Sequence, residues 1–480
     1  MGQRRKALIG LVAGLALFAA ILLLPAPSGF SSEAWRVAAL ALLMAVWWMS
    51  EAAPLAATAL LPVVLLPVLG VQPVETVAGA YAHSIVFLIL GGFLIAAALQ
   101  RWGLHRAVAA AILRMAPEGP SGTIAAVMAA TAFLSMWISN TATAMVMVPI
   151  GQSIIHGLGA GREPGMPEGT APAGNFAPAL MLAIAFSATI GGMGTLIGTP
   201  PNALLAGYLE ETVGIKIGFA QWMLLGVPVV LVLLPATWLL LTRGVFREFG
   251  FDRASRSFAA PASAPLSTGA RLTGFIVALA GAFLVLRPLV EEAFPAIAIG
   301  DAGIVMAAAL LLFVLPAFDG KGGHLLGWEE AKTIRWDVLI LFGGGLALAG
   351  AIDSSGLSSS IGALFVDLGA LPVGIIVLAA MVAIVYLGEL ASNTAMAAVF
   401  LPVAGAIAAS LDIAPADFLV PIGLAASLGF MLPVATPPNA IVYGSGEVTS
   451  TEMLKAGAIL DLAGIAIVYG LAMLIVPKVF

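Results

Sequence analysis

Two short strings, each present twice, hold most of the polar chemistry of this chain. Ser139-Asn140-Thr141-Ala142 recurs as Ser392-Asn393-Thr394-Ala395, and Thr199-Pro200-Pro201-Asn202-Ala203 recurs as Thr436-Pro437-Pro438-Asn439-Ala440. Ser-Asn-Thr packs hydroxyls and an amide into adjacent positions, in the middle of otherwise apolar stretches. If a helix is interrupted there, the end of the first half leaves free carbonyls, which suit a small hard cation. The start of the second half leaves free N–H groups and the positive end of a helix dipole, which suit an anion. Thr-Pro-Pro-Asn works similarly: the prolines stop a preceding helix, Thr caps a following one, and Pro is accepted in its first turn. A single Ser-Asn-Thr in a membrane helix reads as glue between helices, and a single Pro-Pro as a kink. Two copies of each, in the same order, favour a binding site built by pseudo-symmetry.

The elements that carry these strings belong in a membrane. The 480 residues are 61% hydrophobic and 9% charged, against about 45–50% and about 25% in soluble domains. That excludes a soluble globular enzyme and a disordered chain, and the absence of cysteine excludes a disulfide scaffold. The apolar stretches are continuous, as in Ala7–Leu24, Trp222–Leu241 and Ala456–Val476, so helical spans are expected rather than a barrel. A span needs about 20 apolar residues. That template gives eleven spans, near 7–25, 35–49, 53–69, 84–100, 176–209, 222–241, 272–287, 299–316, 336–352, 418–443 and 455–476. Two further stretches, 122–156 and 371–408, are too long for one span and too broken for two. They read as re-entrant hairpins with Ser-Asn-Thr at their tips. The fold class is thus an all-α polytopic membrane protein. Span 7–25 has the basic start of a signal peptide, but no A-x-A cleavage site follows it.

Cations orient the chain, because cytoplasmic loops carry the excess of Lys and Arg. With Arg4, Arg5 and Lys6 inside and each hairpin returning to its own side, sixteen cations fall in cytoplasmic segments. Only Arg36, Lys216, Arg287 and Lys478 fall outside. The N-terminus is therefore placed in the cytoplasm and the C-terminus outside. The first hairpin then enters from the cytoplasm and the second from outside, so the two repeats are inverted, as in secondary transporters. Gly91-Gly92 and Gly343-Gly344 form a third pair. The motif offsets are 253, 237 and 252 residues, the shortfall being taken up by a Gly/Pro-rich loop, Gly157–Asn175. The basic segment Arg243–Arg271 separates the repeats.

Absences narrow the function. No His/Cys/Asp/Glu cluster has metal-ligand spacing and no P-loop is present, which argues against ATP-driven transport by this chain. No Lys or Arg lies inside the broken elements, so an anion there must be met by dipoles, hydroxyls, amides and co-bound cations. Glu389, beside the second tip, reads equally as a proton relay or a structural carboxylate. Glu51 reads as a capping group, Trp47-Trp48 as an interfacial anchor, and His83 and His105 as exposed or capping groups at span ends.

The paired Ser-Asn-Thr tips, the paired Thr-Pro-Pro-Asn breaks and the Trp47-Trp48…Glu51-Ala52 segment resemble the divalent anion–sodium symporters, the INDY-like di- and tricarboxylate transporters. The resemblance runs from about Trp35 to Lys478. It implies a homodimer working as an elevator in a bacterial-type inner membrane, with no nucleic-acid partner. Scaffold segments would be 1–116 and 250–370, and transport segments 117–249 and 371–480. It implies substrate contacts at Asn140, Thr141, Asn393, Thr394, Thr436 and Pro437, with Thr199 and Pro200 as the repeat partners of the last two. Sodium, the coupling ion, would be held by Ser135, Ser139, Asn140 and the backbone of Gly198 at one tip. The other tip would use Ala391, Ser392, Asn393 and the backbone of Ala435. Related proteins can carry a hydroxyl where this chain has Gly388, whereas the first repeat keeps Ser135. The expected function is sodium-coupled import of C4-dicarboxylates such as succinate, by a carrier and not an enzyme. The alternatives are a sodium-independent dicarboxylate exchanger of the same fold, a symporter for citrate or sulfate, and an anion-binding channel or sensor.

Overall fold

The computed structural model describes residues 2–157, 174–247, 249, 265–293, 299–319 and 322–480, without the side chains of Gly2 and Gln3. The expected loop Gly157–Asn175 and the boundary Arg243–Arg271 fall largely outside the described residues. Among the described residues the structure is helical, apart from an isolated β-bridge between Pro316 and His324. Seven helices are long and apolar enough to cross a bilayer. They include Val74–Arg101, whose longer helix is Ser84–Arg101, and Phe219–Val245, Thr268–Ala293, Trp336–Ser354 and Ser450–Val479. Many of the other expected spans are built from half-length helices. The stretch 53–69 is split into Leu55–Thr58 and Leu61–Val68.

The breaks fall at the repeated strings. The first hairpin is Pro120–Ser135 and Asn140–Gly157, the second Val373–Gly388 and Asn393–Ser410. The two broken spans are Phe176–Gly192 with Pro200–Tyr208, and Pro415–Ala425 with Pro437–Gly444. At the latter breaks Thr199 (φ −141°, ψ 140°) and Thr436 (φ −135°, ψ 148°) are extended N-caps. A residue before proline is driven out of the α region, and the proline then starts the new helix.

Among the short helices not anticipated are Val74–Tyr81, Leu104–Leu113 and Leu357–Leu364. Each is far shorter than a span, so a search for 20-residue apolar runs passes over it. The last two begin at Gly103 (φ 65°) and Gly356 (φ 77°), both left-handed, a conformation glycine adopts without a Cβ clash. These glycines are 253 positions apart, as are Pro149 and Pro402 inside the second arms of the hairpins. The repeat therefore extends beyond the motifs into its connecting elements.

The repeats interlock. Pro120–Ser135 packs along Phe176–Gly192, a helix in which every residue is buried. Pro200–Tyr208 lies against Asn393–Ser410, and Pro437–Gly444 against Phe176–Gly192 and Asn140–Gly157. Each broken span thus touches the hairpin of the other repeat. The rings of Phe186 and Phe430 meet edge-on at 5.1 Å across this seam. Elsewhere Ser84–Arg101 packs on Asp301–Val314, and Val74–Tyr81 on Trp336–Ser354.

Several residues at span ends differ from expectation. Trp48 is not an interfacial anchor: it is fully buried, and its Nε1 donates to Leu55 O at 3.1 Å. His105 is buried too, with Nδ1 at 3.2 Å from Leu99 O. The unanticipated helix Leu104–Leu113 turns it inward. His83 does cap a helix, accepting from Ile85 N at 3.3 Å. Glu51 ends its helix through the backbone, in a left-handed conformation (φ 52°) with its N–H directed at Trp47 O.

The cysteine-free chain allows a direct check of orientation. Glu329→Cys and Asp367→Cys each place a thiol at an exposed position. An impermeant maleimide added to intact cells is expected to label position 367 and to reach 329 only after permeabilisation. The reverse pattern would invert the topology.

Candidate functional site

All four breaks open onto one crevice of about 140 Å³. Its lining takes in every expected substrate residue: Asn140, Thr141, Thr199, Pro200, Asn393, Thr394, Thr436 and Pro437. Ser139, Gly198, Ser392 and Ala435 line it as well, whereas Ser135, Gly388 and Ala391 do not. The facing wall is mainly apolar, with Ile89 and Phe93 from Ser84–Arg101 and Leu341 and Phe342 from Trp336–Ser354.

The first tip is tightly built. In the amide orientation that satisfies its neighbours, Asn140 Nδ2 donates to Ser135 Oγ at 2.7 Å and to the carbonyls of Ala188 and Gly198 at 3.1 Å each. Ser135 Oγ donates to Ala188 O at 2.6 Å. Ser139 Oγ accepts from Ala142 N at 3.3 Å, closing the start of the second arm. A Cβ at Gly192 would run into the Asn140 amide, so the unwound chain approaches the tip closely only because that residue is glycine. The Ala188 carbonyl is a member of this cluster that the motifs did not reveal. It lies inside an ordinary helix and reaches the tip only through packing.

The second tip is looser. Asn393 Nδ2 reaches Ser427 O at 3.4 Å, and its Oδ1 is buried without a partner. Where the first tip has Ser135, Gly388 leaves a gap. Its φ is not left-handed, and an added Cβ would meet only Asn393 Oδ1, at 3.2 Å. The backbone therefore does not demand glycine at 388.

Asn202 and Asn439 do work that the motifs did not announce. Asn202 Nδ2 lies 2.9 Å from Thr195 O and 3.3 Å from the carbonyls of Gly192 and Met193. Asn439 Nδ2 donates to Gly429 O at 3.1 Å and Leu432 O at 3.0 Å. Each asparagine thus satisfies carbonyls of the unwound stretch before it. The position of both, three residues after the capping Thr, was the available signal. Thr195 Oγ1 donates to Met136 O at 2.6 Å, tying the first unwound stretch to the first tip. Glu389 makes the corresponding tie in the second repeat: its Oε1 accepts from Met431 N at 2.8 Å and its Oε2 from Leu432 N at 2.9 Å. These bonds give Glu389 a structural part, and buried Asp461 lies beside it, so both readings of Glu389 stand.

Polar atoms without partners also converge here. Thr189 Oγ1, Ser427 Oγ and Asn393 Oδ1 are buried and unpaired, and all three residues line the crevice. An unsatisfied buried polar group costs about 1–3 kcal/mol; other such atoms, among them Thr143 Oγ1, Ser187 Oγ and both carboxylate oxygens of Asp461, lie away from the crevice.

The sequence matches, over residues 5–478, the family described as the sodium:sulfate symporter transmembrane region. The sodium-dependent dicarboxylate transporter SdcS of Staphylococcus saprophyticus is 37% identical over 481 residues, covering 98% of this chain and 92% of that one. The same-named protein of Staphylococcus aureus is 37% identical over 478 residues with the same coverage. Among solved structures, the YdaH transporter of Alcanivorax borkumensis aligns with a TM-score of 0.56 over 83% of this chain and 87% of that one. At 14% identity, that is a likeness of fold alone.

Asn439→Ala frees two buried carbonyls of the second unwound stretch. The variant is expected to lose about 1–3 kcal/mol of stability, read as a lower melting temperature in detergent, and to need more sodium for half-maximal uptake. Unchanged sodium dependence would show that this stretch is not part of a cation site.

Proposed function

The chain belongs to the sodium:sulfate symporter transmembrane family, and we propose that it imports C4-dicarboxylates such as succinate together with sodium. One observation carries the reading. Four broken-helix ends meet at a crevice, and because the broken elements contain no Lys or Arg, the positive charge that they offer a dianion comes from N–H groups, helix dipoles and bound cations. The names of the staphylococcal relatives, sodium-dependent dicarboxylate transporters, favour sodium and a dicarboxylate over sulfate. Uptake of labelled succinate into proteoliposomes, with and without a sodium gradient, tests it. Uptake that depends on internal dicarboxylate and ignores sodium would establish the exchanger instead.

Sodium fits the first tip by the chemistry of the donor set. Ser135 Oγ and the carbonyls of Ala188 and Gly198 surround the Asn140 amide. With the amide turned to present its oxygen, the group offers four neutral oxygens, a donor set that a hard cation would take in place of the hydrogen bonds that the turn gives up. Ser139 lies next to this group. At the second tip the donors are Asn393 Oδ1, Ser392 and the backbone near Ala391 and Ala435. Bound sodium then both supplies charge and fixes each asparagine, so that the N–H groups beyond the tips are set for the substrate carboxylates. Asn140, Thr141, Asn393, Thr394, Thr199 and Thr436 offer the polar side chains that meet the dianion, with Pro200 and Pro437 shaping its walls.

In this reading each inverted repeat gives one segment to a transport domain, 117–249 and 371–480, which slides as an elevator against a scaffold, 1–116 and 250–370. The scaffold would also make the homodimer contact.

Asn140→Ala and Asn393→Ala are each expected to weaken both ligands, because each side chain serves both and coupling is reciprocal. Thr141→Ala and Thr394→Ala are expected to act mainly on the anion, by about ten- to a hundred-fold for a lost hydrogen bond to charge. Binding titrations of sodium and succinate separate these patterns. Gly388→Thr is expected to lower the sodium needed for half-maximal uptake, and Gly388→Ala is not. Equal damage from both would reject the missing-hydroxyl reading.

The elevator has its own test. An added Cβ at Gly345 lies 3.5 Å from Ala398 Cβ, across the boundary between the two units. That separation suits a disulfide. Gly345→Cys/Ala398→Cys is expected to stop uptake on oxidation, recover on reduction and bind sodium in both states. Full transport while cross-linked would exclude sliding of the two units.

A further inference from the structure

The crevice contains one charged pair, and neither member comes from the broken elements. Arg335 is the N-cap of Trp336–Ser354, and Asp337 lies in its first turn. Arg335 Nε donates to Asp337 Oδ1 at 2.9 Å and Nη2 donates to Oδ2 at 2.8 Å, a two-bond fork. Both side chains are about half exposed, so the fork is open to exchange. They are the only charged residues among the described residues that line the crevice.

A second cavity of about 140 Å³ lies between Ser84–Arg101, the second arm of the first hairpin, and residues 333–335. The two cavities share Phe93, Ser139, Thr141 and Arg335. The guanidinium therefore stands at the neck between them, and no other Lys or Arg lines either one. By the cation count, this neck faces the cytoplasm.

A guanidinium fork receives any carboxylate in the same paired geometry. Asp337 thus occupies the place that a substrate carboxylate would take. Building on the dicarboxylate reading above, we infer that Arg335 is a handover point on the cytoplasmic path: a substrate carboxylate displaces Asp337 from the fork, and Asp337 then reclaims it. The exchange replaces two hydrogen bonds with two equivalent ones, so the dianion passes the neck without being stranded or trapped. Without Arg335 the crevice and the adjoining cavity offer the dianion no Lys or Arg among the described residues. Without the Asp337 charge the guanidinium holds it too long.

The competing view is that the pair only clasps the start of a helix, in which case both variants impair transport alike. The full-length protein, expressed in a host without its own dicarboxylate uptake, is assayed in right-side-out and inside-out membrane vesicles at saturating sodium. Arg335→Ala is expected to raise half-saturating succinate at the cytoplasmic face by about tenfold or more, the size expected for a lost charge-assisted pair, and to leave the outer face within about twofold. Arg335→Lys keeps the charge without the fork and is expected to fall between. Asp337→Asn is expected to do the opposite of Arg335→Ala, lowering cytoplasmic half-saturation while slowing the maximal rate. Opposite shifts from the two members are what a mere clasp does not produce. Shifts in one direction, no shift, or a shift confined to the outer face would overturn the handover. Failure of the wild-type protein to take up succinate with sodium would instead overturn the dicarboxylate reading, in the same vesicles and independently of the variants.

Discussion

A backbone that leaves the helix inside a membrane has no water to satisfy its N–H and C=O groups, and this chain leaves the helix four times at depth. Everything around the crevice answers that constraint. Asn202 and Asn439 are spent on carbonyls of the two unwound stretches. Glu389 is spent on two N–H groups of the second stretch, and Thr195 ties the first stretch to its tip. Packing then hides the rest: the helix Phe176–Gly192 is wholly buried among both repeats. Of the buried side-chain atoms without a partner among the described residues, those of Thr189, Ser427 and Asn393 belong to residues that line the cavity, while others, such as Thr143, Ser187 and Asp461, lie away from it.

The same constraint explains why charge is placed so sparingly. A formal charge at depth is costly, whereas helix ends offer partial charges fixed in position. The first tip is tight, with Ser135, Asn140, Ala188 and Gly198 within bonding distance of one another. The second is looser, with Gly388 in place of the hydroxyl. Two similar but unequal tips give a site that one sequence duplication can build and later substitution can tune. The formal charges, Arg335 and Asp337, sit at the edge of the crevice, at a helix start where each neutralises the other.

Much of this was legible in the amino-acid order, because the signals are local. Apolar runs showed the helical membrane class, and Pro200 and Pro437 after an extended Thr gave the breaks, since proline excludes the helical hydrogen bond before it. The eight residues that the family resemblance implied for the substrate all lie in the repeated strings Ser-Asn-Thr and Thr-Pro-Pro-Asn, and all eight line the crevice. Short helices such as Leu104–Leu113 escaped because they are too brief to show as spans, and with them went the inward turn of His105. Trp48 was misplaced for a related reason. Tryptophan near a helix end suits either a membrane interface or a core, and only its neighbours decide.

The sequence by itself determined the class of protein, the duplication and the positions at which helices must break, because each follows from composition or from covalent restrictions on a few adjacent residues. The tertiary structure alone decided which groups meet. Ala188 contributes a carbonyl from inside a regular helix, and Asn202 and Asn439 turn back to hold the chain that precedes them. Arg335 and Asp337 arrive at the crevice from a helix that belongs to neither motif. Such meetings join residues distant in sequence, and packing brings them together where no local pattern records it.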